Sequence, residues 1–259
     1  MPPAIETTSL TRDFAGVRAV DALDLRVEAG TFYGFLGPNG AGKSTTIKML
    51  TGLLAPSAGT IRILGEDVSD PRRALEVKRR VGVVPENLGL YDNLTAWEYL
   101  TFVGRMHELA PPVLARRRDE LLEAMDLAQD TKKLTVEFSH GMKKKLALAA
   151  ALLPNPDLLF LDEPFEGVDA VASSMLREPL RRVVQRGATI FLTSHVLEIV
   201  EKLCDHVGII DHGRIVHEGA MADLRRDGSL EQRFLAIIGG GGAHRQGLSW
   251  LDEQASRRE

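Results

Sequence analysis

Cys204 is the only cysteine among 259 residues, so no disulfide can close within the chain, and a reducing, cytoplasmic setting is expected. Neither sign of charge prevails. The chain has 32 Lys and Arg against 36 Asp and Glu, a net charge of −4 and a pI of about 6.0. It therefore lacks the basic field that a nucleic-acid partner would call for, and none is expected. Long apolar runs are missing as well. "LALAAALL" is the longest, well short of the roughly 18 residues that read as a membrane span. The opening "MPPAIETTSLTRDF" lacks the charged-then-apolar pattern of a secretory leader. Any membrane role is expected to come through a partner. There is no internal repeat, and the one low-complexity stretch is a run of four glycines. What is present is 44% hydrophobic residues, enough for the core of one large domain or a core plus a lobe.

The first part reads as strands. "AIETTSLTRDF", "ALDLRVEAG" and "GTIRILGE" alternate apolar and polar residues and stop near Gly or Asp. "TFYGFL" is apolar throughout and too short for a helix, which predicts a strand covered on both faces. "TIKMLTGLL" has helical spacing, and "VGVVPE" reads as a further strand. From about 87 to 153 the character is helical, in "TAWEYLTFVGRMHEL", "PPVLARRRDELLEAMDL" and "GMKKKLALAAALL". Strands and helices then alternate: "DLLFLDEP", "AVASSMLREPLRRVVQRG", "ATIFLTSH" and "VLEIVEKLC". "HVGIIDHGRIVHEG" predicts a hairpin turning at Asp211 to Gly213. Such alternation implies an α/β fold, a parallel sheet covered by helices, with the helical block inserted into it. After about Asp227 organisation fades. "IIGGGGAHRQG" reads as a flexible connector, and "LSWLDEQASRRE" as a short amphipathic helix or a disordered tail. Residues 1–226 are expected to form the functional domain and 227–259 a C-terminal tail.

Between "TFYGFL" and the next helix lies Gly37-Pro38-Asn39-Gly40-Ala41-Gly42-Lys43-Ser44, followed by Thr45, which fits G-x-x-x-x-G-K-[ST]. Glycines let backbone N–H groups turn inward around phosphate oxygens. A lysine in Lys43's place reaches the β- and γ-phosphates, and a hydroxyl in Ser44's place faces Mg²⁺. The helix that follows directs its positive end at the anion. The plain alternative is a glycine-rich turn that matches by accident, but a strand before it and a helix after it argue for a nucleotide site.

Asp162 and Glu163 close the strand "LLFLDEP", at the sheet edge where open α/β folds bind ligands. Beside a phosphate loop, Asp162 is expected to hold Mg²⁺ through its water shell, and Glu163 to act as general base toward water. His195 ends "ATIFLTSH" at the same edge, where it is expected to meet the γ-phosphate. Alone, these residues also read as solvated acids and a surface histidine. Farther along, "FSHGMKKKLALAAALL" sets Ser139 ahead of an apolar helix, a natural N-cap. Lys143, Lys144 and Lys145 read as a solvated face of that helix.

Together these stretches resemble the ATP-binding subunit of ABC transporters, most of all those of ABC-2-type exporters, over about 5–224. "GPNGAGKST" resembles the Walker A loop, "LLFLDEP" the Walker B strand and "TSH" the switch histidine. "FSHGMKKKLALAAALL" is similar to the signature segment in its Ser-x-Gly-Met form, and "EGVDA" to the D-loop, with Asp169 in the aspartate position. Phe14 stands in the place of the aromatic that stacks on adenine. The resemblance implies a P-loop NTPase core with a parallel sheet, an N-terminal antiparallel β-subdomain and an inserted α-helical subdomain at about 87–153. It implies ATP and Mg²⁺ as cofactors. A second ATP-binding subunit would lie head to tail, with Ser139 and the Gly141 N–H meeting the γ-phosphate across the interface. A separate transmembrane permease would hold the subunit on the cytoplasmic face. One residue departs from the pattern: Glu86 occupies the glutamine position of the Q-loop. A carboxylate there still ligates Mg²⁺ but donates no hydrogen bond, and its charge opposes ionisation of Glu163. A soluble ABC-type ATPase not coupled to transport, or a nucleotide-binding regulator with weak turnover, are the rival readings.

Overall fold

Every residue of "FYGFL", "LLFLD" and "TIFLT" is buried, which requires cover on both faces of the sheet they build. The computed structural model describes residues 2–239, and all structural statements concern these. In chain order its elements are β1 (Ile5–Phe14), β2 (Val17–Val27), β3 (Phe32–Leu36), α1 (Lys43–Leu50), β4 (Ala58–Ile63), β5 (Glu66–Asp67), α2 (Pro71–Arg79) and β6 (Val81–Val84). The helical block follows as α3 (Ala96–Met106), α4 (Pro111–Ala124) and α5 (His140–Leu152). The chain continues through β7 (Leu158–Asp162), α6 (Ala170–Gln185), β8 (Thr189–Thr193), α7 (Leu197–Leu203), β9 (His206–Asp211), β10 (Arg214–Ala220), α8 (Met221–Leu224) and α9 (Leu230–Gly239).

The central sheet has the order β10-β9-β3-β8-β7-β6, parallel except for the edge hairpin of β9 and β10. That hairpin turns at the position expected, through His212 and Gly213, both at positive φ. A second sheet, β2-β1-β4-β5, is antiparallel throughout. Its first turn is made by Ala15 and Gly16, both at positive φ, as a two-residue hairpin demands. One apolar cluster fills the space between the two sheets, with Phe35, Phe160 and Phe191 at its centre. A second joins the other face of the central sheet to α5, α6, α7 and the helical block.

Strands β3, β8, β7 and β6 are neighbours, so the loops at their carboxyl ends converge. This adjacency brings together residues 37–42, 163, 195 and 86.

In its secondary structure the fold departs from the sequence reading in two places. Helix α2 was not foreseen in so charged a stretch, although Asp70 caps it, accepting from the Arg72 N–H, and Pro71 opens it. Organisation also does not fade at Asp227. Helix α9 buries Leu230 completely and packs Phe234, Ile237 and Ile238 against the helix-side core. The remainder of the glycine run and "LSWLDEQASRRE" lie outside the described residues.

Candidate active site

The loop after β3 is shaped by contacts that exclude side chains. A Cβ on Gly37 would lie 2.3 Å from the Ile210 carbonyl oxygen. Gly42 has φ +111, and a Cβ there would meet the Ala19 carbonyl oxygen at 2.5 Å. Gly42 caps α1 without any side-chain bond, so the first-turn N–H groups of that helix carry no side-chain cap. Lys43 is buried, and its Nζ donates to the carbonyls of Gly37 at 2.7 Å and Pro38 at 3.2 Å. Beside it opens a cleft of about 450 Å³, lined by Asn39, Gly40, Gly42, Lys43, Ser44, Thr45, Glu86, Glu163, Glu166, His195 and Ala19.

Ser44 Oγ lies 3.2 Å from Asp162 Oδ1 and 3.4 Å from Glu86 Oε2. One hydroxyl proton serves two carboxylates. Three hard oxygens converging in this way suit Mg²⁺, which takes one or two carboxylates and completes its shell with water and phosphate. Among the described residues no group of three or more His, Cys, Asp or Glu is arranged to hold a metal unaided. Asp162 is nearly buried and is oriented by Thr193, whose Oγ1 donates to Oδ1 at 2.5 Å.

Glu163 has a left-handed backbone, φ +48, unusual for a residue with a side chain. Its N–H donates to the Thr193 carbonyl and Oγ1, each at 3.2 Å. Its carboxylate Oε2 accepts from His195 Nδ1 at 2.9 Å and from the His195 N–H at 3.2 Å. With Glu163 ionised, the ring proton rests on Nδ1. A carboxylate aligned by an imidazole, beside a phosphate loop, is equipped to take a proton from water.

A family model described as ABC transporter matches residues 20–166. The chain is 41% identical to the daunorubicin/doxorubicin resistance ATP-binding protein DrrA of Streptomyces peucetius, over 86% of this chain and 67% of that one. It is 42% identical to the bacitracin transport ATP-binding protein BcrA of Bacillus licheniformis, over 87% of this chain and 72% of the relative.

The chain belongs to the ABC transporter family.

A solved structure of the ATP-binding subunit of an ABC transporter superposes with a TM-score of 0.84 at 31% identity, covering 91% of this chain and 99% of that one. The chain is therefore an ABC-transporter ATP-binding subunit, an ATPase, with the α/β fold expected.

Ser139, Gly141, Asp169 and Phe14, singled out in the sequence, stand outside the cleft lining. Ser139 caps α5, accepting from the Met142 N–H at 3.2 Å, and is exposed. Neither Ser139 nor Gly141 lines the cleft of its own chain. Asp169 caps α6, accepting from the Ala172 N–H at 2.9 Å. His140 packs on the loop before it, so closely that a Cβ on Gly167 would come within 2.9 Å of the imidazole. Phe14 is exposed, stands outside the cleft lining, and has the Arg12 guanidinium 4.5 Å from its ring centre.

One expectation about a site segment is overturned. The lysine run does not form a solvated face. Lys145 is buried, with Asp126 3.8 Å away. Lys144 is 2% exposed, and its Nζ donates to the Glu163 carbonyl at 2.8 Å. Thr193, Lys144 and Glu166 were not among the residues that the sequence reading assigned to the site. Thr193 had a local signal, a hydroxyl at the end of an apolar strand two residues before His195. Lys144 had none, because charge alone predicts exposure.

Proposed function

We propose that this subunit hydrolyses ATP-Mg²⁺ at an interface between two copies and so drives a separate transmembrane permease from the cytoplasmic side. The observation that carries this reading is the separation of Ser139 and Gly141 from their own open cleft. An exposed hydroxyl and a partly exposed glycine N–H at a helix N-terminus suit the γ-phosphate of a nucleotide held by a second copy. Phe14 would stack on adenine, and Asp169 would act at the same interface.

In this reading Lys43 and the N–H groups of residues 39–45 hold the phosphates. Ser44, Glu86 and Asp162 would hold Mg²⁺, which neutralises charge on the β- and γ-phosphate oxygens when bound. Glu163 takes the proton of the attacking water. His195, hydrogen-bonded to Glu163, fixes the direction of its carboxylate and would meet the γ-phosphate. Among the described residues no helix is long and apolar enough to cross a membrane, which supports a permease on a separate chain. The relatives' names, drug resistance and bacitracin transport, favour export.

The test is the molar mass of Glu163→Gln by light scattering, with and without ATP-Mg²⁺. The expected result is a shift from 28.4 kDa to twice that value on adding nucleotide. Ser139→Trp should abolish the shift. A protein that binds ATP but stays monomeric, in solution and with its permease, would overturn the shared site.

A further inference from the structure

Lys144 is the deepest-set lysine of its run, and what it grips is a peptide rather than a side chain. A buried ammonium is costly unless it is hydrogen-bonded and faces opposite charge. Burial pulls the Lys144 pKa below the usual lysine range, while Glu166, Glu163, Asp162 and Glu86 oppose that shift. The cost is thus met at one place, beside the carbonyl of Glu163.

That peptide needs holding. A residue with a side chain at φ +48 is strained and keeps its conformation only where neighbours over-determine it. Thr193 holds the Glu163 N–H, and Lys144 holds its carbonyl. Lys144 also stands in the early turns of α5, the helix whose N-terminus Ser139 caps. From Ser139 to Lys144 the helix rises about 7 Å and is too short to bend appreciably.

We infer that Lys144 is a positioning residue that ties the N-terminus of α5 to the backbone of Glu163. Contact of Ser139 and Gly141 with a second copy's nucleotide then sets the base of this copy's own site. This inference rests on the head-to-tail reading above. It adds a direction of coupling: ATP bound in one site aligns the base of the other, through a single helix and one ammonium. Hydrolysis should therefore be cooperative in ATP, and Lys144 should carry part of that cooperativity.

The experiment compares steady-state hydrolysis by the full chain with Lys144→Met, alone and combined with Glu163→Gln. Methionine keeps the apolar stem and removes the donor. Lys144→Gln, whose amide stops short of the carbonyl, is a second variant with a polar tip. Fluorescent-nucleotide binding and the thermal midpoint are measured alongside. Both Lys144 variants should lose about 10-fold or more in kcat, since small misplacements of a reacting group have effects of that size. KM and nucleotide affinity should stay within about twofold, and the Hill coefficient should fall toward one. In the Glu163→Gln background, Lys144→Met should leave the residual rate unchanged, because Lys144 acts only through Glu163. Wild-type kcat in both Lys144 variants overturns the inference. So does an undiminished loss in the Glu163→Gln background. A Glu163→Gln chain that hydrolyses ATP at the wild-type rate overturns the assignment of the base itself, and is told apart by that single variant.

Discussion

Thr193→Val removes one oxygen from the centre of the site and little else. Thr193 is fully buried, and valine keeps its β-branching and its preference for strands, so β8 should form as before. The hydroxyl makes two contacts. It donates to Asp162 Oδ1 at 2.5 Å and lies 3.2 Å from the Glu163 nitrogen. The second contact is backed up, because the same N–H reaches the Thr193 carbonyl. The first is replaced only in part, since Ser44 Oγ stands 3.2 Å from the same carboxylate oxygen. A buried hydrogen bond to a charged group contributes about 1.5–3 kcal/mol. For a chain of this size that corresponds to a midpoint lowered by roughly 3–6 °C. Asp162 and Glu163 would both lose a guide, so ATP hydrolysis should drop by about 10-fold. Thermal unfolding followed by circular dichroism and a phosphate-release assay read the two effects. Thr193→Ser, which keeps the hydroxyl, should recover most of the hydrolysis. An unchanged midpoint together with an unchanged rate would refute the view that this bond organises the two carboxylates.

Two further outcomes are expected. Glu86→Gln takes one negative charge from beside Ser44 and Asp162, which should raise hydrolysis a few-fold and flatten its Mg²⁺ dependence; rates that match wild type across a Mg²⁺ titration would show that Glu86 is merely tolerated. Leu230→Asp puts a carboxylate at the fully buried foot of α9 and should cost about 3 kcal/mol in urea unfolding, whereas a loss near zero would mean that α9 contributes nothing to the domain.

Much of the site was legible before any coordinates. The loop 37–44 is a contiguous motif, and its chemistry follows from glycines, a lysine and a hydroxyl at set spacing. Asp162 and Glu163 were readable because an apolar run of strand length ends on them. His195 was readable for the same reason. Periodicity and strand breaks placed nearly every long element, because whether a residue faces core or solvent depends on neighbours within a turn or two. Helix α2 escaped because its apolar face is a single buried valine, Val77, in a charged stretch.

Tertiary structure decided what local pattern does not encode. Strand order is set by long-range pairing, and only the neighbouring positions of β3, β8, β7 and β6 bring Ser44, Glu86, Asp162 and His195 to one edge. The partners of Thr193 are 30 and 31 residues away in the chain, and Lys144 is 19 from the carbonyl it holds. Lys144 is the clearest case. Its charge predicts water, and burial became affordable only once a carbonyl and several carboxylates surrounded it. The amino-acid sequence by itself determined which groups could do the chemistry. The fold determined which of them meet, and it left Ser139 outside the lining of its own cleft, because contacts between distant segments rest on packing that no short stretch contains.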